Sequence, residues 1–177
     1  AKITYPARFQ LIAAMNPSPT GHYEGQHNRC TPEQTLRYLN RLSGPFLDRF
    51  DLSLEIPLPP PGLLSQSVHT GENSQTVQRR VIVAQQRQYA RQGKLNAHIG
   101  SSDIRQYCSL GKADALWLEQ TLTRLGLSIR AWQRLLKVSR TLADMEGVED
   151  IAKHHLQEAL SYRGIDRMLA HLQTLLQ

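Results

Sequence analysis

The sequence predicts a mainly α chain: a partial α/β layer over residues 1–58, a linker over 59–73, and an all-helical domain over 74–177. Three observations predict this. Strand-like patterns are confined to the first 58 residues. Pro57, Pro59, Pro60, Pro61 and Gly62 then interrupt the chain. Every later segment repeats its apolar residues at helical spacing.

The first element is the short apolar run from Arg8 to Met15, which reads as a buried strand. It stops at Asn16-Pro17, because the residue before a proline is pushed out of helical geometry. A buried strand needs neighbours, and few others are visible, so the rest of a parallel sheet is expected upstream. Residues 17–30 form a loop rich in Pro, Ser, Gly and Asn. Thr31-Pro32-Glu33-Gln34 starts a helix: Thr31 caps, Pro32 takes the first position, and Gln34 completes a capping box. That helix is expected to run to about Leu42 and to bury Leu36, Leu39 and Leu42. Ser43-Gly44-Pro45 opens a short helical turn over Phe46 to Arg49. The stretch from Asp51 to Ile56 alternates polar and apolar residues, as a strand does.

Beyond the linker the pattern is helical throughout. Segment 74–92 carries Val77, Val81, Ala84 and Tyr89 on one side, and segment 102–109 has Ser102 as a candidate cap. Segment 113–125 carries Leu116, Trp117, Leu118, Leu122 and Leu125. Ser128 caps segment 129–146, whose stripe runs from Ile129 and Trp132 to Leu142 and Ala143, and Gly147 stops it. Segment 150–162 is expected to bury Ile151, Leu156 and Ala159 and to stop at Gly164. Segment 165–176 closes the chain with Met168, Leu169, Leu172 and Leu176.

With 40% apolar and 20% charged residues among 177, the composition is that of a globular protein. No apolar run approaches the roughly 18 residues of a membrane span, and Ala1-Lys2-Ile3-Thr4 opens no apolar signal stretch. Cys30 and Cys108 are far apart in sequence, which fits a reducing cytoplasm better than a disulfide framework. The net charge is +6, and residues 59–110, with six basic and two acidic residues, contribute +4 of it. Arg79, Arg80, Arg87, Arg91, Lys94 and Arg105 therefore form either a footprint for a polyanion or a solvated helix face.

No phosphate-binding loop of the G-x-x-x-x-G-K-[ST] kind is present, and no apolar strand ends in paired acidic residues. The chain is therefore not expected to bind and split ATP by itself. What remains is a set of polar groups at element ends. Asn16, at a strand's carboxyl edge, can orient a water or a ligand oxygen, or it can simply start a turn. Arg49 ends a short helix and can equally be a surface ion pair with Asp48. Arg130 lies in the first turn of a helix, where a positive charge is mildly unfavourable and invites a functional reason.

Taken in order, Ala13-Ala14-Met15-Asn16-Pro17, Ser43-Gly44-Pro45-Phe46-Leu47-Asp48-Arg49-Phe50-Asp51 and Leu127-Ser128-Ile129-Arg130-Ala131 resemble the second half of a AAA+ ATPase module. The resemblance covers essentially the whole chain. It is to the magnesium-chelatase-related branch and, within it, the bacterial ComM/YifB group, which is also similar to the MCM helicases. It implies a partial AAA+ α/β core followed by the all-helical AAA+ lid. By this resemblance Asn16 is sensor 1, which polarises the water attacking the γ-phosphate. Arg49 is the arginine finger reaching a neighbouring subunit's ATP, and Arg130 is sensor 2. ATP and magnesium are the implied cofactors, held mostly by residues upstream, and a hexameric ring of identical subunits is the implied assembly. Guanidinium suits these roles because it stays charged and binds phosphate bidentately.

The same resemblance implies a DNA motor for branch migration in transformation and recombination. Pore loops would make most DNA contacts, with Lys2, Arg79, Arg80, Arg87 and Arg91 as further candidates. A chelatase-like or protein-remodelling ATPase is the alternative, although no Ser–Lys protease dyad is evident. Relatives often carry a cysteine cluster after the sensor strand. Only Cys30 of it is present here, and His22, His27 and Cys30 match no zinc spacing, so no metal site is expected. A second alternative is a stand-alone helix-turn-helix module over 113–146, with Gly126 at the turn and Arg130, Arg134, Lys137 and Arg140 on the second helix.

Overall fold

The computed structural model of the chain describes residues 3–5, 9–57, 62 and 71–176. Lys2, Arg8 and most of the expected linker at 59–73 lie outside the described residues. Two compact units are present: residues 1–43 with 171–177, and residues 44–170.

In the first unit the strand expected at 8–15 is corrected. Residues 9–15 are not paired with any strand, and Phe9, Leu11 and Ile12 are 73%, 55% and 85% exposed. A strand is held by pairing its backbone N–H and C=O groups, and among the described residues nothing pairs with these. The loop that follows is knitted by its own side chains. Ser18, fully buried, donates to the His22 carbonyl at 2.7 Å and accepts from the Thr20 N–H at 3.2 Å. Asn28 accepts from the Cys30 N–H at 2.9 Å and donates to the Tyr23 carbonyl at 3.0 Å. Helix α1, Pro32–Leu39, starts as expected, with Thr31 and Gln34 completing the reciprocal capping box. It ends at Leu39 rather than Leu42, the chain continuing to Leu42 through turn bonds. Leu39 is buried, whereas Leu36 and Leu42 are half-buried.

The second unit opens with α2, Gly44–Leu47, and turn bonds extend it to Phe50. The strand expected at 51–56 is reduced to one bridge. Ser53 N–H donates to the Tyr162 carbonyl at 2.7 Å, and Gly164 N–H donates to the Ser53 carbonyl at 2.9 Å. The helices are α3 (Ser74–Gln92), α4 (Ser101–Tyr107), α5 (Lys112–Arg124), α6 (Ile129–Glu146), α7 (Lys153–Ser161) and α8 (Gly164–Thr174). A 3-10 turn, Asn96–His98, precedes α4. Helix α8 ends within the first unit's residues.

Helix α6 is the centre of this unit, with α3, α4 and α7 against it. Its start is local chemistry: Ser128 Oγ accepts the Ala131 N–H at 3.2 Å. So is its end. Gly147 takes φ +92, and the N–H groups of Gly147 and Val148 both reach the Ala143 carbonyl. Leu135, Leu136 and Ala143 of α6 pack with Leu118 and Leu122 of α5, Leu156 and Ala159 of α7, and Ile104 and Cys108 around α4.

Four expectations are corrected here. Helix α3 buries only Ala84 and Gln88, while Val77, Val81 and Tyr89 stay 40%, 41% and 54% exposed. Polar bonds, not an apolar stripe, are what join α3 to α6. Ser102 does not cap α4: Gly100 precedes the helix, and Asp103 Oδ2 accepts its N–H at 3.0 Å. Leu116, Leu125 and Ile129 point to solvent. Gly164 begins α8 rather than stopping α7, and a Cβ there would lie 3.1 Å from the Ser53 carbonyl oxygen, so the bridge needs a residue this small.

Candidate functional site

Two exposed arginines stand on neighbouring elements of the second unit. Arg130 projects from the first turn of α6, exposed and without a side-chain partner among the described residues. Arg49 follows α2 and is exposed, its guanidinium held among the described residues by the Pro45 carbonyl at 2.5 Å. It is not paired with Asp48. Asp48 Oδ2 instead accepts from the Ser128 hydroxyl at 3.2 Å, the same hydroxyl that caps α6. A carboxylate at a helix N-terminus is favourably placed against the helix dipole. Asp51 pairs with Arg134 on the next turn of α6 at 2.6 Å. The residues on either side of Arg49 are thus tied to the helix that carries Arg130. Asn16 belongs to the first unit; it is exposed, just before the turn at Pro17.

The basic stretch is placed differently. Arg91 donates to both Asp144 oxygens, at 2.5 and 3.0 Å, and to Asn96 Oδ1 at 2.9 Å. Arg87 donates to the Asp144 carbonyl. Arg80 pairs with Glu72 and Lys94 with Asp103. Arg79 and Arg105 remain exposed without partners among the described residues. The exposed Arg87 and the half-buried Arg91 thus take part in a polar network around Asp144.

That network centres on Asp144, 1% exposed. It accepts from Arg91 and from Asn96 Nδ2, with Arg140 Nε 3.3 Å away. Arg140, itself 3% exposed, donates to the Val148 carbonyl at 2.8 Å and to that of Glu149. Burial holds its pKa below the ordinary arginine value. Sequence reasoning missed this cluster. Its one signal was Arg140 and Asp144, four apart on the buried stripe of α6. The same facts weigh on the helix-turn-helix alternative: Arg134 is paired, Arg140 is buried, and Lys137 donates to the Ala97 carbonyl at 3.3 Å, which leaves Arg130 as the exposed, unpartnered member of the four among the described residues.

Glu146, His154 and His155 bring three metal-type ligands within 4.8 Å of one another. The hydrogen bonding does not suit a metal. His155 Nδ1 accepts the Ala152 N–H at 3.0 Å, so its proton sits on Nε2, which faces Glu146 Oε2 at 2.7 Å. A ligating nitrogen must be bare. The two imidazoles instead hold the Glu146 carboxyl below its usual range, His154 foremost. In the first unit, His22 and His27 rings lie 5.5 Å apart, and Cys30 is engaged with Thr20 Oγ1 at 3.3 Å.

Comparison with known proteins places the chain in a family. Residues 71–163 match the C-terminal domain of the magnesium chelatase ChlI subunit, and residues 1–62 match the ChlI domain itself. The chain therefore belongs to the magnesium chelatase ChlI family, AAA+-related proteins with a helical C-terminal domain. Among its relatives are the YifB proteins of Salmonella typhimurium and Escherichia coli, 73% and 72% identical over 176 residues, or 99% of this chain. The competence protein ComM of Haemophilus influenzae is 55% identical over 175 residues, again 99% of the chain. The chain spans about a third of the length of these relatives, 35% of each YifB and 34% of ComM.

Proposed function

We propose that this chain is the sensor, finger and lid portion of a ring-forming AAA+ ATPase that moves branched DNA. The observation that carries the reading is the pair of exposed guanidiniums, Arg49 and Arg130, on elements bonded to one another. Exposed, weakly partnered arginines fit a polyphosphate ligand, since no buried carboxylate has to release them first. In this reading Asn16 and Arg130 address the γ-phosphate of the subunit's own ATP. Arg49 addresses that of the next subunit in a hexamer, while magnesium and most ATP ligands come from outside the 177 residues. ATP with magnesium supplies the transferable phosphoryl group. The chain's own part is to place positive charge around it and to orient the attacking water. The DNA substrate is supported by the likeness to ComM, a competence protein.

The test is ATP-driven migration of a synthetic DNA junction by the full-length ATPase, wild type beside Arg49→Ala. The expected result is junction movement by the wild type and a loss of turnover on the order of 10³-fold or more in the variant, with ATP binding kept. An enzyme that hydrolyses ATP yet leaves every DNA substrate untouched would favour the chelatase-like alternative, metal insertion into a porphyrin, which the family match supports.

A further inference from the structure

Arg49 sits where the family's two parts divide: the ChlI match ends at residue 62 and the C-terminal domain match begins at 71. By sequence Arg49 goes with the first part. By packing it goes with the second, because the compact unit begins at Gly44. Three attachments account for that. Asp48 accepts from the Ser128 cap at 3.2 Å, Asp51 pairs with Arg134 at 2.6 Å, and Ser53 is clamped by backbone bonds to Tyr162 and Gly164 at 2.7 and 2.9 Å. The Ser53 hydroxyl adds a bond from the Ile165 N–H at 3.2 Å. Three positions around Arg49 are thus fixed to the helical domain, while among the described residues Arg49 itself is held by the Pro45 carbonyl within its own turn.

We infer that Asp51 and Arg134 are positioning residues for Arg49, which fix the finger segment to α6 so that Arg49 and Arg130 move as one body. The inference rests on the proposed function, and it concerns the regulation of that same site. Its consequence is mechanical: any rotation of the helical domain carries the finger with it, so the contact to one subunit's ATP is coupled to the contact made by Arg130. Asp51 is 58% exposed on its side chain. Such a pair contributes little to stability. A purely structural role therefore predicts almost no effect of breaking it, whereas a positioning role predicts lost turnover, since small misplacements of a catalytic group cost on the order of a hundredfold.

The experiment measures kcat, ATP affinity and melting temperature of the full-length ATPase for Asp51→Arg, Arg134→Asp and the double swap, with Arg49→Ala alongside. The expected result is a fall in kcat of about 10- to 100-fold in each single variant. ATP affinity and melting temperature stay near wild type, and kcat recovers when the pair is restored with its charges exchanged. Single variants that turn over normally, or a double swap no better than the singles, would overturn the positioning role. If Arg49→Ala itself turns over normally, the finger assignment falls first and the positioning role falls with it.

Discussion

At the scale of single residues, the two cysteines show how environment separates identical side chains. Cys30 is half-exposed, and its bond with Thr20 lowers its pKa. Cys108 is 3% exposed in the core, and burial pushes its thiol up to about 11 from an ordinary 9.0. Thiolate is the reactive form. A disulfide reagent at pH 8 should therefore label Cys30 promptly and Cys108 only as fast as the core opens, which mass spectrometry of timed samples reads directly. Equal labelling rates would show the core around Cys108 to be open. The raised pKa also has a stability sign. The folded state holds the Cys108 proton more tightly than the unfolded state, so the contribution is complete below pH 9 and is lost as pH rises from 9 towards 11. Melting curves of wild type and Cys108→Ala over that window should converge as the pH rises. Parallel curves would remove Cys108 as the cause.

At the scale of elements, what was legible in the sequence is what is decided within a few residues. The capping box of Thr31 and Gln34, the Ser128 cap and the Gly147 stop all act over one helical turn, and each is found as read. The joint between α3 and α6 was not legible, because its chemistry spans 53 residues from Arg91 to Asp144. An Arg-rich helix read alone offers its charge to solvent or to DNA, and only the fold brings a buried acceptor to it. The strand patterns at 8–15 and 51–56 failed for the complementary reason, since alternation specifies a face but supplies no neighbour to pair with. The candidate site was partly legible. Arg49 and Arg130 were singled out from their motifs, but the bonds from Asp48 and Asp51 to α6 cross about 80 positions and leave no local trace. The network carries its own prediction. Asp144→Ala leaves Arg91 and the buried Arg140 facing one another without their shared anion, and breaking a buried pair from one side costs about 3–5 kcal/mol. Asp144→Asn keeps the shape and part of the hydrogen bonding, so it should lose less. Urea unfolding of the three proteins checks this, and an alanine variant as stable as wild type would mean that Asp144 does not anchor α3 to α6.

At the scale of the whole molecule, charge is the property that decides how the chain meets a polyanion. The net charge of +6 suggests a nucleic-acid surface, but the structure removes much of the excess from use. Arg87, Arg91 and Arg140 converge on the Asp144 region, Arg80 and Lys94 have acidic partners, and Arg134 is tied to Asp51. Exposed guanidiniums without an ion pair among the described residues, such as Arg79, Arg105 and Arg130, can still reach phosphates without first giving one up. A protein that neutralises about three phosphates loses affinity with salt at a logarithmic slope of roughly −3, against about −10 for a dedicated repressor. The chain alone should therefore bind duplex DNA weakly, with that shallow slope and with no preference among sequences, since among the described residues no helix offers a free row of basic side chains to base edges. Fluorescence anisotropy with two unrelated duplexes across a salt series measures all three quantities. Tight binding to one duplex over the other would return α6 to the role of a recognition helix, and would require Arg134 and Arg140 to leave the partners that now hold them.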